Sequence, residues 1–199
     1  IATMRDMVSW AQTEVSLTQL SEVQVQLLSE LDQAQHEAKI DGLTGLWNQV
    51  AIKDVLKRAY QRHLLTQQPY SIMMIDIDNF KAINDTHGHP FGDQIIQSIA
   101  ETLSTSLRPS DAIGRYGGDE FLVILENCSH VRAEELSRRI LTHNHSLIFA
   151  SKGEDINCSM SIGFSSTEKL EVDSPESLLE HADQSLYQAK EGGRNCARG

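Results

Sequence analysis

The sequence predicts an α/β (α+β) domain of ferredoxin-like βαββαβ order, with a central, mostly antiparallel sheet flanked by helices and an N-terminal helix in front. Three observations carry this. A short apolar run over residues 71–78 ends in carboxylates, the pattern of a buried strand whose functional end faces outward. Two further apolar segments flank the Gly117-Gly118 pair, a hairpin signal. Segments of helical period separate these strands in the order strand, helix, hairpin, helix, strand.

Residues 1–40 form the first division, and 41–199 the second. The first contains neither Gly nor Pro and is rich in Gln, Glu, Ser and Leu. Trp10, Leu17, Gln24, Leu31 and Ala38 fall on one heptad position, with Thr13, Leu20, Leu27 and Ala34 on the other. That seam suits a dimerising coiled coil with polar interruptions, or an amphipathic helix lying on its own domain. The helix should break at Asp41-Gly42. A helix is expected over 48–66, a strand over 71–78, a helix over 91–107 and hairpin strands over 111–116 and 120–125. A helix over about 131–146, a strand over about 156–165 and a last helix over 175–191 complete the order. Ser174 and Pro175 suit the N-cap and first turn of that last helix.

At 199 residues and 40% hydrophobic content, the chain suits one globular domain with an appendage. No apolar run approaches the roughly 20 residues that span a bilayer, and the first ten residues do not read as a signal peptide. The three cysteines, Cys128, Cys158 and Cys196, lack metal-type spacing and fit a reducing compartment, so the expected location is the cytoplasm. A formal charge of −11 argues against nucleic acid as a partner. An acidic chain that took a nucleotide would need a cation and a few placed Lys or Arg residues.

Asp76, at the end of the apolar strand, and Asp119, at the glycine turn, lie 43 positions apart. In a βαββαβ sheet the first strand and the hairpin are neighbours, so these acids can converge. Two carboxylates and a backbone carbonyl make a hard oxygen site suited to Mg²⁺. By spacing alone, an ordinary hairpin with exposed acids fits equally well.

The surrounding motifs separate the two. Arg115-Tyr116-Gly117-Gly118-Asp119-Glu120-Phe121 resembles the signature of the GGDEF family of diguanylate cyclases, and the resemblance extends over residues 41–195. It includes Asp41-Gly42-Leu43-Thr44-Gly45-Leu46-Trp47-Asn48, the run from Asp76 to Asp85, and Gly88-His89-Pro90-Phe91-Gly92-Asp93. It also includes Ser161-Ile162-Gly163 and the run from Ala189 to Asn195. The resemblance implies a palm as in nucleotide cyclases, condensing two GTP molecules into cyclic di-GMP. It implies that Asp76 and Asp119 hold Mg²⁺ (or Mn²⁺) through carboxylates and Ile77 through its carbonyl oxygen. Asp119 is the family's usual general base, with Glu120 as the competitor. Lys81 would stabilise phosphate charge, Asn84 and Asp93 would read guanine, and Lys190 and Arg194 would meet the terminal phosphates. Each domain would carry half an active site, completed in an antiparallel homodimer.

Arg108-Pro109-Ser110-Asp111 matches the family's Arg-x-x-Asp product-inhibition site, with five residues between Asp111 and Gly117. Arg139 on the following helix is a candidate second arginine. Gln49 departs from the arginine that often follows Asn48. His87/His89 and His143/His145 lack ligand-spaced partners and read as solvated. A sensor domain upstream is implied. The rival readings are a domain that binds GTP or cyclic di-GMP without turnover, and a related nucleotide cyclase or polymerase palm using other nucleotides.

Overall fold

A computed structural model describes residues 38–144 and 147–199, together with Gln24 and Gln26. The expected helix over residues 1–40 lies outside the described residues, apart from those few positions. Residues Ile40–Gly199 form one compact unit.

Among the described residues of this unit, five helices and seven strands follow in order. They are α1 (Gln49–Thr66), β1 (Ser71–Ile77), α2 (Phe80–His87), α3 (His89–Ser106), β2 (Ala112–Arg115), β3 (Glu120–Leu125) and α4 (His130–Asn144). Then come β4 (Ile148–Ser151), β5 (Glu154–Asn157), β6 (Met160–Ser166), α5 (Pro175–Glu191) and β7 (Ala197–Arg198). The main sheet runs β2-β3-β1-β6-β7, and β4-β5 is a separate hairpin. All pairings in the main sheet are antiparallel except β6 with β7.

Central β1 is buried throughout, which explains its unbroken apolar sequence. Its alternate side chains feed two cores. Met73, Ile75 and Ile77 pack with Ile95, Ile96, Ile99 and Leu103 of α3 and Ile140 of α4. Ile72 and Met74 pack on the other face with Ile52 and Leu56 of α1 and with Leu178, Ala182 and Leu186 of α5. The last helix begins as its sequence indicates: the Ser174 side chain accepts from the Ser177 N–H at 3.1 Å, and Pro175 follows.

Three elements differ from expectation. Residues 80–87 form a helix of their own, α2, none of whose residues is fully buried; Phe80 and Ile83 alone lean on the core, too short an apolar stripe to announce it. It ends at Gly88, whose φ of 88° turns the chain into α3. The strand expected over 156–165 is two strands, because β5 turns back to pair with β4. Lys152 and Gly153, both at positive φ, make the two-residue turn, and the polar sequence there hides it. The third is β7, only two residues long.

Candidate active site

The site grows from the C-terminal end of β1 and the turn between β2 and β3. Asp76 stands opposite Glu120 in the β1–β3 register. Ile77 N–H donates to the Asp119 carbonyl at 3.3 Å, so the Asp119 backbone lies beside the carboxylate strand. The Tyr116 and Gly117 N–H groups both donate to the Glu120 carbonyl, at 2.8 and 3.2 Å, closing the turn. A Cβ at Gly117 would overlap the Glu120 carboxylate, whereas one at Gly118 would meet nothing within 4 Å. Gly117 therefore makes room for Glu120, and Gly118 leaves open space at the tip.

Arg115 clamps this turn. Its Nε and Nη2 donate to the Gly118 carbonyl at 3.1 and 2.7 Å, and its Nη1 pairs with Asp41 at 3.3 Å. Asp41 also accepts from the N–H and the hydroxyl of Thr44, at 2.9 and 2.7 Å. Burial pushes the Asp41 carboxyl up, but the Thr44 hydrogen bonds and the Arg115 charge outweigh it and hold it below the ordinary range.

Negative charge is concentrated here. Burial raises the Asp76 carboxyl, with Asp119 and Asp78 adding to the shift, while Lys190 opposes it across a 2.8 Å ion pair. Burial likewise raises Glu120, reinforced by Asp76 and Asp119. Among the described residues no three His, Cys, Asp or Glu side chains are already gathered as a metal site. The donor set nonetheless fits a hard divalent cation: two carboxylates, Asp76 and Asp119, lie beside the Ile77 main chain.

The structure thus brings together Asp76, Ile77, Asp119, Glu120 and Lys190. Lys81 is exposed on the first turn of α2. Asn84, on the same helix, has its Oδ1 buried with no hydrogen-bond partner. That atom lies against Gly92, where any Cβ would overlap it, and Asp93 is the next residue. Arg194 lies beyond the end of α5 at φ 62°, so it does not continue the helical face of Lys190. Lys190 itself pairs with Asp76 at 2.8 Å.

Across the domain, a cavity of about 300 Å³ is lined by Arg108, Asp111, Arg132, Glu135 and Arg139 among others. The Arg108 N–H donates to Asp111 Oδ2 at 3.0 Å, and Arg139 Nη2 donates to the Ser106 carbonyl at 2.7 Å. Sequence reasoning missed Arg132 and Glu135, although their spacing from Arg139, seven and four positions, puts all three on one face of α4. It also assigned nothing to Arg115 or Asp78. The second carboxylate of Asp76-Ile77-Asp78 was the available signal for the latter.

No helix among the described residues is long and apolar enough to cross a membrane. A family model described as "Diguanylate cyclase, GGDEF domain" matches residues 38–196. The chain is 40% identical over 175 residues to the response regulator PleD of Caulobacter vibrioides, covering 87% of this chain and 38% of PleD. It is 37% identical over 174 residues to the diguanylate cyclase DosC of Escherichia coli, covering 86% of this chain and 37% of DosC. The chain therefore spans under two fifths of the length of these curated relatives. Among solved structures, the coiled coil and GGDEF domain of DgcB from Caulobacter crescentus, in complex with c-di-GMP, matches with a TM-score of 0.86 and 30% identity. That match covers 94% of this chain and 98% of DgcB's. With the acids and the glycine turn placed as described, the chain belongs to the GGDEF family of diguanylate cyclase domains.

Proposed function

We propose that this domain is a diguanylate cyclase, condensing two GTP into cyclic di-GMP and two pyrophosphates in a homodimer. The observation that carries this reading is the meeting of Asp76, Ile77, Asp119 and Glu120 at one strand end, with Lys190 against Asp76. Asp76, Asp119 and the Ile77 carbonyl would hold Mg²⁺ or Mn²⁺, which when bound offsets triphosphate charge at the attacked phosphorus. Asn84 and Asp93 read guanine, since the unpartnered Asn84 Oδ1 accepts from an N–H of the base. Lys81 and Arg194, both exposed, reach the phosphates.

Each ribose 3′-oxygen attacks the α-phosphorus of the opposing nucleotide, forming one P–O bond and breaking the bond to the departing pyrophosphate. The hydroxyl proton passes to Asp119 or Glu120. One domain supplies one such set of acids, so two domains face each other antiparallel. Residues 1–40 would serve as the dimerising helix, and the coiled coil named in the DgcB structure supports that assignment. The cavity holding Arg108, Asp111 and Arg139 would take the product as inhibitor, through forked arginine contacts and N–H donation to Asp111. We place the domain in the cytoplasm, where GTP is made, under the control of a sensor domain elsewhere in the protein.

Chromatography of reactions with GTP and Mg²⁺, beside an ATP control, tests this reading. Cyclic di-GMP is expected from GTP alone and should vanish in Asp119→Ala. Binding of GTP without any product would make the domain a sensor instead.

A further inference from the structure

Asp78 follows the strand that carries Asp76 and Ile77, and it is buried, at 4% exposure. A buried carboxylate is costly unless its lone pairs are satisfied. Here they are met by neutral donors. Ser159 Oγ donates to Oδ2 at 2.6 Å, Ser161 Oγ donates to Oδ1 at 2.7 Å, and the Asn195 N–H donates to Oδ2 at 3.0 Å. The Asp78 N–H completes the junction by donating to the Ser159 carbonyl at 2.9 Å. No Lys, Arg or His pairs with Asp78 among the described residues.

The Asn195 bond joins positions 117 apart in sequence. It lands on an unusual piece of chain. Gly193, Arg194 and Asn195 have φ of 112°, 62° and 50°, three successive residues in the left-handed region. A non-glycine residue there costs free energy and persists only where its surroundings hold it. The Arg194 N–H donates to the Ala189 carbonyl at 3.0 Å, which ties the segment back to α5. The Asp78 carboxylate ties it forward to the end of β1, next to the acids of the site.

We propose that Asp78 is a positioning residue for the triphosphate, holding the Gly193–Asn195 segment so that the exposed Arg194 side chain stands in fixed register with Asp76 and Asp119. The bond reaches the backbone one residue beyond Arg194, so it sets where that side chain begins. Lys190 meets Asp76 through its own side chain. Arg194 has no such direct link, and Asp78 supplies the indirect one. This rests on the reading of Arg194 as a phosphate contact.

The test compares two ligands in the presence of Mg²⁺ by calorimetry: 3′-deoxy-GTP, which lacks the attacking hydroxyl, and GMP, which lacks the terminal phosphates. In the wild type the triphosphate binds more tightly. Asp78→Asn, which keeps the side chain's size but loses charge and one acceptor, should weaken 3′-deoxy-GTP roughly tenfold, the size expected for one charge-assisted contact. GMP binding should stay within about twofold. Arg194→Ala should show the same pattern, and the double variant should be no worse than Arg194→Ala alone. If Asp78→Asn fails to fold, Ser159→Ala is read in its place, because it strips one donor from the oxygen that holds Asn195. The same selective loss, at least about twofold, is then expected.

Equal weakening of both ligands, or additive losses in the double variant, would overturn the positioning role. A selective loss in Arg194→Ala with none in Asp78→Asn or Ser159→Ala would overturn it alone. No preference for the triphosphate in the wild type, or an unchanged preference in Arg194→Ala, would overturn the phosphate reading of Arg194 as well.

Discussion

Replacing Gly163 by Ala probes the contact that sets α5 against the sheet. Gly163 lies mid-strand in β6, opposite Met74 of β1. A Cβ there would overlap the Ala182 carbonyl and the Leu186 N–H, and would stand 2.7 Å from Leu186 Cα. Ordinary van der Waals contact begins at 3.4 Å, so the shortfall at that atom alone is about 0.7 Å. All three obstacles are backbone, and no rotamer change relieves them. The helix must therefore retreat, yet the Ser165 hydroxyl, donating to the Leu178 carbonyl at 2.8 Å, holds its first half to β6. Overpacking of this kind costs roughly 2–3 kcal/mol, a fall in Tm of about 5–10 °C for a domain this size. Lys190 lies one turn beyond Leu186, and the same retreat would stretch its 2.8 Å pair with Asp76 to about 3.5 Å. Differential scanning calorimetry of Gly163→Ala beside Gly118→Ala is the assay, since a Cβ at Gly118 meets nothing. Equal melting temperatures for both variants and the wild type would refute the reasoning.

Arg115→Ala removes both donors to the Gly118 carbonyl and the pairing with a partly buried Asp41. The amides of residues 116–120 should exchange measurably faster, with a stability loss of about 1 kcal/mol once solvent screening is allowed for; unchanged exchange would show that the turn holds itself. Tyr70→Phe should leave the domain as stable as before or slightly more so, because the buried hydroxyl has no hydrogen-bond partner and burial suppresses its ionisation. A loss above about 1 kcal/mol by urea titration would contradict this. Burial pushes the Cys128 thiol up to about 11 and the Cys158 thiol up to about 12. The thiolate is the nucleophile, and a raised pKa leaves almost none of it near neutrality. At pH 7.5 iodoacetamide should therefore modify Cys196 first, and reach the other two only in denaturant; prompt labelling of Cys128 in the folded protein would contradict the burial.

The elements legible in the sequence were those with an apolar stripe. β1, β3, α3 and α5 feed the two cores, and their periodicity shows it. α2 was missed because it is short and buries no residue fully, with only Phe80 and Ile83 leaning on the core, although it carries Lys81 and Asn84. The β4-β5 hairpin was missed because its turn, Lys152-Gly153, sits in polar sequence. Within the site, the neighbourhood of Asp76 and Asp119 followed from strand order alone. The pairing of Lys190 with Asp76 did not, because only packing of α5 on β6 brings helix end and strand end together. Asp78 was hidden for a related reason: its donors come from positions 159, 161 and 195, which no local pattern connects to it.

Phosphorus NMR of the protein with GTP and Mg²⁺ tests the assignment most directly, because it reads both products at once. Two pyrophosphates released for each cyclic dinucleotide formed, with ATP left untouched, is the expected result. GTP that stays intact at high protein concentration, or that yields inorganic phosphate and GDP instead, would contradict it.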